Sequence, residues 1–502
     1  MNPKRLSFTV IKNAAANVLR GGASAIVALA LPPLLIRHLN HDRFAAWSIL
    51  LQFAAYVNFL DFGLQTAVSR FVARTVEQGY VDKRNRLIST AFAMLVAAAA
   101  LACLIMLGLI PLLPSFFPTV PPALLRELQR GVLCLSLLSA LALPASAFTG
   151  VLIGLQRNEL TAVALGTAKI LGAVSLALLV TRSSSLVWMA AVIGVWNLVG
   201  AASQFGMIRN LLPQFHLSFR LASRAEAREL LHYCAYLTIW IFGGFLVSGL
   251  DVALVGHFEF RATGSYAIAT SVVNLLGALS GAVFGAMLPA ASVIHTRGEF
   301  RKLGLIVLRT TRYGIYFLAF SIFPILVAGP FLLKKWLNAE YAAQTLPFLV
   351  VLLAANAIRL AGYPYSVVMI GSGQHKHNVI GPFAEGFVNL FASILLAMRM
   401  GAIGVALGTL LGSFVGVAFH IFYNLPRTRE IEMSRSEYAI GGLLFPFVRM
   451  LPLFLCGIVA FEFPRRGVSL PATIATIVGL TLSSALWALR NEEYSRKKPE
   501  IP

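Results

Sequence analysis

The sequence predicts an all-α polytopic membrane protein of about 14 transmembrane helices, built as two six-helix lobes with an appended C-terminal hairpin. Three observations predict it. Apolar stretches of roughly twenty residues, the length a helix needs to cross a bilayer, follow one another from end to end. Of the 502 residues, 58% are hydrophobic and 12% charged, whereas ordinary globular domains are about 25% charged. The two halves of the chain also resemble each other at a nearly constant offset, the mark of an internal duplication.

Taken in order, the expected spans are 14–36, 44–68, 87–113, 131–155, 160–180, 187–208, 233–255, 264–294, 313–333, 346–370, 379–398, 402–423, 439–462 and 470–489. The first follows Lys4, Arg5 and Lys12 and carries a cleavage-like Ala28-Leu29-Ala30. Apolar sequence continues to Ile36, so it reads as a retained helix and not as a signal peptide. Pro32, Pro33, Pro144, Pro289, Pro324 and Pro382 fall inside spans and predict bends. Glycines recur every four residues at Gly277, Gly281 and Gly285 in the eighth span, and at Gly404, Gly408, Gly412 and Gly416 in the twelfth. Such stripes let helix backbones approach closely in a bilayer. Cys103, Cys134, Cys234 and Cys456 lie in or beside spans and are expected to be free thiols.

The connections set the orientation. With the N-terminus cytoplasmic, loops and tails on that side hold 26 Lys and Arg, the opposite loops hold 11, and Arg20, Lys169, Arg359 and Arg449 lie within spans, together all 41. The positive-inside rule therefore places both termini in the cytoplasm. The net charge of +21 is accounted for by topology, and no nucleic-acid partner is expected. The short connections leave no room for a soluble catalytic domain.

The internal repeat orders the domains. Gly79 and Lys83 match Gly298 and Lys302 at one common separation, and Ile153-Gly154 matches Ile370-Gly371 at almost the same one. Asp42-Arg43 before the second span matches Phe260-Arg261 before the eighth. Six spans per repeat make both copies enter from the same side, so a pseudo-two-fold axis along the membrane normal is expected. The domains are then residues 1–214, 215–436, and a hairpin with its tail at 437–502. Two lobes of this kind suit alternating access.

Ionisable groups at membrane depth are candidate functional residues because they are costly to insert, at about 2.5–3.5 kcal/mol each. Arg359 and Lys169 approach the midplane, and Arg20 lies about two turns from a span end. Arg43 and Arg261 stand at repeat-equivalent cavity mouths. Together these five cations suit a dianionic headgroup, since Arg can grip phosphate oxygens with two parallel donors. The acids in spans are Asp61, Asp251 and Glu385, candidates for ion coupling or for intramembrane pairing. Glu385 sits one span on from Arg359 and is positioned to neutralise it, and it is also nearly repeat-equivalent to Lys169. His375-x-His377 lacks a third ligand and reads as a polar loop, so no metal and no cofactor are expected. Neither a nucleophile motif nor a pair of catalytic carboxylates is evident, and no enzymatic activity is expected.

Seven segments resemble the polysaccharide transporter branch of the multidrug/oligosaccharidyl-lipid/polysaccharide (MOP) flippase superfamily, which includes O-antigen repeat-unit flippases. They are LDFGLQTAVSRFVA (Leu60–Ala73), LDVALVG (Leu250–Gly256), GSYAIA (Gly264–Ala269), LPAASVIHTRGEFRKLG (Leu288–Gly304), WLNAEYA (Trp336–Ala342), MIGSGQHKHN (Met369–Asn378) and GAIGVALG (Gly401–Gly408). The resemblance implies a bacterial inner-membrane flippase that moves an undecaprenyl-pyrophosphate-linked oligosaccharide from the cytoplasmic to the outer leaflet for polysaccharide biosynthesis. A polysaccharide polymerase or other assembly machinery would be its partner. Each sugar hydroxyl taken unpaired into hydrocarbon costs several kcal/mol, which is why a polar, cationic cavity is needed. Three alternatives stay open at this point: a cation-coupled multidrug exporter, a lipid II flippase, and, from another class, a membrane-embedded polymerase or glycosyltransferase.

Overall fold

In hydrocarbon every backbone N–H and C=O must find a partner inside its own segment, so the apolar stretches can only be helices. The computed structural model describes residues 3–212, 214–285, 287–374, 380–461 and scattered positions between 472 and 487. The side chains of 3–20, 236, 240, 289 and 455–461 lie outside the description. The first half of the chain forms α1 (Pro3–His38), α2 (His41–Phe59), α3 (Leu64–Glu77), α4 (Val81–Leu109), α5 (Leu113–Phe116), α6 (Pro122–Ala142), α7 (Ser146–Gly154), α8 (Asn158–Val180) and α9 (Leu186–Leu211). The remainder forms α10 (Arg224–Ser248), α11 (Asp251–Phe258), α12 (Thr263–Gly285), α13 (Leu288–Thr296), α14 (Phe300–Trp336), α15 (Ala339–Ala361), α16 (Tyr363–Gly371), α17 (Ile380–Met400), α18 (Ala402–Phe419) and α19 (Phe445–Phe461). Among the described residues twelve helical segments are long and apolar enough to cross a membrane, and thirteen when α2 and α3, bent by 41°, count as one. The expected span at 470–489 and His375-x-His377 lie mostly or wholly outside the described residues.

The repeat reappears in the succession of elements. Both copies run a first span (continuous in α1, broken between α10 and α11), an interrupted pair, a long helix, a long helix with a short continuation, and two further long helices. The matched Gly79 and Gly298 share a left-handed φ of 72° and 71°. The short helices are packed in the same way in each copy. A Cβ on Gly154 (α7) would stand 2.6 Å from the Ser69 carbonyl of α3, and one on Gly371 (α16) 2.8 Å from the Leu288 carbonyl of α13. Neither site can hold a larger residue without the helices separating.

The chain divides into two compact units, Met1–Ala267 and Ile268–Pro502. Within the first unit the linker that follows α9 is fastened to the start of α4. Asn85 donates its amide to the Gln214 carbonyl (2.7 Å), Ser89 accepts from the Ser218 N–H (3.3 Å), and Thr90 accepts from the Ser223 N–H (3.0 Å). This brings α10 onto the bend between α2 and α3. There Phe62 and Gly63 take φ values of 51° and 78°, and the Phe62 carbonyl accepts from the Thr238 hydroxyl of α10 (3.1 Å). The LDFGL motif is thus a helix break: Gly63 tolerates the left-handed turn, and Asp61 accepts from the Gln65 N–H at the start of α3.

In the second unit, α17 and α18 share the seam predicted by the glycine stripe. Gly404 lies against the Leu396–Ala397 backbone, Gly408 against Ser393 and Gly412 against Asn389. The other stripe is different. A Cβ on Gly277 or Gly285 of α12 would meet nothing within 4 Å among the described residues outside its own turn of helix. At the start of α14, Gly304 touches the Glu432 carbonyl, and Arg301 pairs with Glu437 at 2.6 Å. Two π-helical turns, His420–Asn424 and Glu437–Leu444, interrupt the regular ladder. The freed Gly441 carbonyl accepts from Arg312 (2.8 Å).

Candidate functional site

Lys169 is carried by α8 between Gly166 and Gly172, whose missing side chains let α1 and α9 close around it. Its ammonium donates to the Ser24 hydroxyl of α1 at 2.9 Å. Both residues line an open cavity of about 590 Å³, together with Gly21, Trp47, Trp196 and Asn197. Among the described residues no Asp or Glu lines it. A cation held by a hydroxyl retains most of its attraction for an incoming anion. The Arg20 side chain, one turn from Ser24, lies outside the described residues.

Arg43 and Arg261 come together at the start of α2. Asn40 caps that helix by accepting from the Arg43 N–H (2.9 Å). The Arg43 guanidinium forks onto Glu127 of α6 (3.0 and 3.3 Å) and donates to the Ser184 carbonyl. Glu127 in turn accepts from the Leu186 N–H at the start of α9 (2.8 Å). Arg261, four-fifths exposed, pairs with Asp42 at 3.2 Å. The two repeat-equivalent arginines are therefore bridged through the adjacent residues Asp42 and Arg43. Each already holds a carboxylate.

Asp61 accepts from the Ser146 hydroxyl (2.9 Å) as well as from Gln65, and so joins α7 to the bend between α2 and α3. Asp251 opens α11, is buried, and accepts from the Tyr266 hydroxyl at 3.3 Å. Just before it, the break between α10 and α11 is stabilised by Gln52, which donates to the Gly249 carbonyl at 2.8 Å.

In the second unit Arg359 (α15) meets Glu385 (α17) at 2.5 Å, the partner the sequence offered it. Gly416 of α18 makes room for this pair: a Cβ there would stand 2.5 Å from the Glu385 carboxylate. The Arg359 Nη2 is buried without a hydrogen-bond partner among the described residues. One turn beyond Gly416, His420 lies within hydrogen-bonding distance of Ser366 (3.3 Å) and Asn424 (3.0 Å), while Tyr365 is bonded to Thr428 (2.6 Å). Arg449 lies over the Phe445 ring at 4.4 Å and reaches the Tyr316 hydroxyl at 3.4 Å.

Sequence reasoning missed Ser24, Asp42 and Glu127 as partners of the three cations of the first unit, and it missed the polar group around His420. With only 20 acids in the chain, each one near a span end could have been matched against the few cations at the same depth. Among the described residues no three His, Cys, Asp or Glu side chains converge as a metal site.

Interrupted helix pairs and a repeated six-helix succession define an all-α polytopic membrane protein. Comparison with solved structures gives the same class. An inward-facing multidrug resistance MATE transporter of the MOP superfamily superimposes with a TM-score of 0.65 at 12% identity, over 81% of this chain and 98% of its own. The lipid II flippase MurJ in an inward closed conformation does so with a TM-score of 0.66 at 14% identity, over 96% and 99%. The fold is that of the MOP superfamily.

The chain belongs to the polysaccharide biosynthesis protein family, whose model matches residues 10–295, more than half of its length. Among curated relatives, an uncharacterized membrane protein of Methanocaldococcus jannaschii is 25% identical over 275 residues, which is 51% of this chain and 53% of that protein. The probable low-salt glycan biosynthesis flippase Agl15 of Haloferax volcanii is 24% identical over 259 residues, which is 48% and 53%. The matches span about half the length of these relatives.

Proposed function

We propose that the protein is a flippase that carries a lipid-linked oligosaccharide from the cytoplasmic to the outer leaflet for polysaccharide biosynthesis, without catalysing a covalent step. The observation that carries this reading is Lys169, a cation at membrane depth in an open cavity, with a hydroxyl as its partner and no acid among the described lining residues. Arg359, with one nitrogen still unsatisfied among the described residues, supplies a second cation. The family assignment and the glycan-flippase relative support the same substrate class. The carrier would be a polyprenyl pyrophosphate such as undecaprenyl pyrophosphate, and the host membrane a bacterial inner membrane with both termini cytoplasmic. The O-antigen branch is the finer assignment.

In this mechanism Lys169 takes the pyrophosphate while the polyprenyl tail stays in lipid, and Arg359 is the candidate substrate-binding cation of the second unit. Arg20 assists near the cytoplasmic end of the first span, and Arg43 and Arg261 assist at the opposite mouth by exchanging their carboxylates for phosphate oxygens. The inside-negative potential favours outward movement of an anion by about 2.3 kcal/mol per charge per 100 mV. Asp61, Asp251 and Glu385 are the groups through which a counter-ion would couple.

The test is deletion of the gene, followed by rescue with Lys169→Gln or Arg359→Gln and extraction of lipid-linked sugars. Loss of surface glycan with accumulation of the lipid-linked precursor is expected for both variants, at normal protein abundance for Lys169→Gln and per molecule of protein present for the less stable Arg359→Gln. Unchanged glycan output would remove these residues from the site. Altered sensitivity to cationic dyes alone would favour a multidrug exporter instead.

A further inference from the structure

A second cationic cavity lies far along the chain from Lys169. It occupies about 680 Å³ between the C-terminal half of α3 and the first turns of α10, lined by Arg70, Arg74, Arg228, His232, Tyr233 and Glu229, with Phe71 and Ala225 completing the wall. The Arg70 guanidinium lies 4.9 Å above the Tyr233 ring, which fixes its plane, and Phe71 meets the same ring edge-on at 5.9 Å. Glu229 is the one acid among the described lining residues, and it is engaged by Lys83 at 3.4 Å. Three arginines thus converge on one space whose carboxylate has another partner. Like charges gathered around one space raise its positive potential and favour an anion there. Orientation by the positive-inside rule requires basic residues on this side, but it does not require them to surround a cavity. At the separation that relates Gly79 to Gly298, the counterparts of Arg70 and Arg74 in the second repeat are Pro289 and Val293, so this equipment belongs to the first copy alone.

We propose that Arg70, Arg74, Arg228 and His232 form a binding site for a phosphate-type dianion at the basic, cytoplasm-assigned end of the first unit. Arg forks match phosphate oxygens in pairs, and the shallow position of the site, within two or three turns of the α3 and α10 ends, is headgroup depth. The proposal does not depend on what cargo crosses the membrane.

The full-length protein is tested in phosphatidylcholine nanodiscs titrated with inorganic pyrophosphate, and in nanodiscs doped with phosphatidic acid, with retained lipid read by native mass spectrometry. Arg74→Gln/Arg228→Gln is expected to weaken binding at least about tenfold, whereas Glu229→Gln tightens it several-fold. Saturable retention of phosphatidic acid alone assigns the site to a lipid headgroup, and binding of pyrophosphate assigns it to a soluble phosphate. Equal binding by wild type and the double variant in both arms overturns the proposal. If the double variant does not purify as a single species, Glu229→Gln decides, and no gain of affinity overturns it.

Discussion

The two repeat copies share a scaffold and differ in their chemistry. Gly154 against Ser69 and Gly371 against Leu288 are the same contact made twice, and Gly79 and Gly298 make the same turn. The fastening that follows each copy is not the same. After the first copy, three polar side chains of α4 hold the linker. After the second, Gly304, the repeat counterpart of Asn85, brings bare backbone against Glu432, and a salt bridge from Arg301 to Glu437 adds to it. The cations differ likewise: Lys169 is held by a hydroxyl, Arg359 by a carboxylate. Backbone packing is preserved because any side chain at Gly154 or Gly371 would separate helices. The polar equipment is free to diverge because each group needs only one compatible partner.

The comparison can be broken most forcefully at the shared contact. Gly154→Leu and Gly371→Leu should each destabilise by about 3 kcal/mol or more and by similar amounts, read as loss of the monodisperse peak in fluorescence-detected chromatography. A large loss at one position only would show that the copies do not pack alike. Next comes the charged pair. Arg359→Gln leaves a buried carboxylate and should cost about 2–3 kcal/mol, while Arg359→Gln/Glu385→Gln recovers much of it, a double-mutant cycle followed by thermal unfolding in detergent. Additive losses would mean the two groups do not stabilise each other. Asn85→Ala should cost about 1 kcal/mol by removing the shorter of the two hydrogen bonds to the Gln214 carbonyl and leaving only the longer one from Arg84, visible as faster proteolysis of the linker. The smallest effect is expected at the open stripe. Gly277→Ala should change stability by less than about 0.5 kcal/mol, whereas Gly408→Ala should be costly because the added methyl meets Ser393. Equal losses at the two positions would erase the distinction between seam and open face.

Most of the fold was legible because span length and apolar content report directly on bilayer thickness. The bends were less so. Phe62-Gly63 lies inside a run of apolar residues, and the partner that stabilises its carbonyl, Thr238, stands on a helix far along the chain. Similarly, Arg359–Glu385 could be anticipated from neighbouring spans, but Arg43–Glu127 joins helices distant in sequence, with nothing in the local pattern to link them. The glycine stripes looked alike in sequence, and only the neighbouring helix decides which one is a seam.

The fastened linker makes the region around residue 214 a poor place to divide the molecule. A chain cut after Leu211 would leave Asn85, Ser89 and Thr90 without their acceptors and donors on residues 214–223, and the Phe62 carbonyl without Thr238. Each orphaned polar group carries a desolvation penalty of about 1–3 kcal/mol. The first unit is thus tied together by polar groups on both sides of residue 214, and a cut there would loosen both α4 and the bend between α2 and α3.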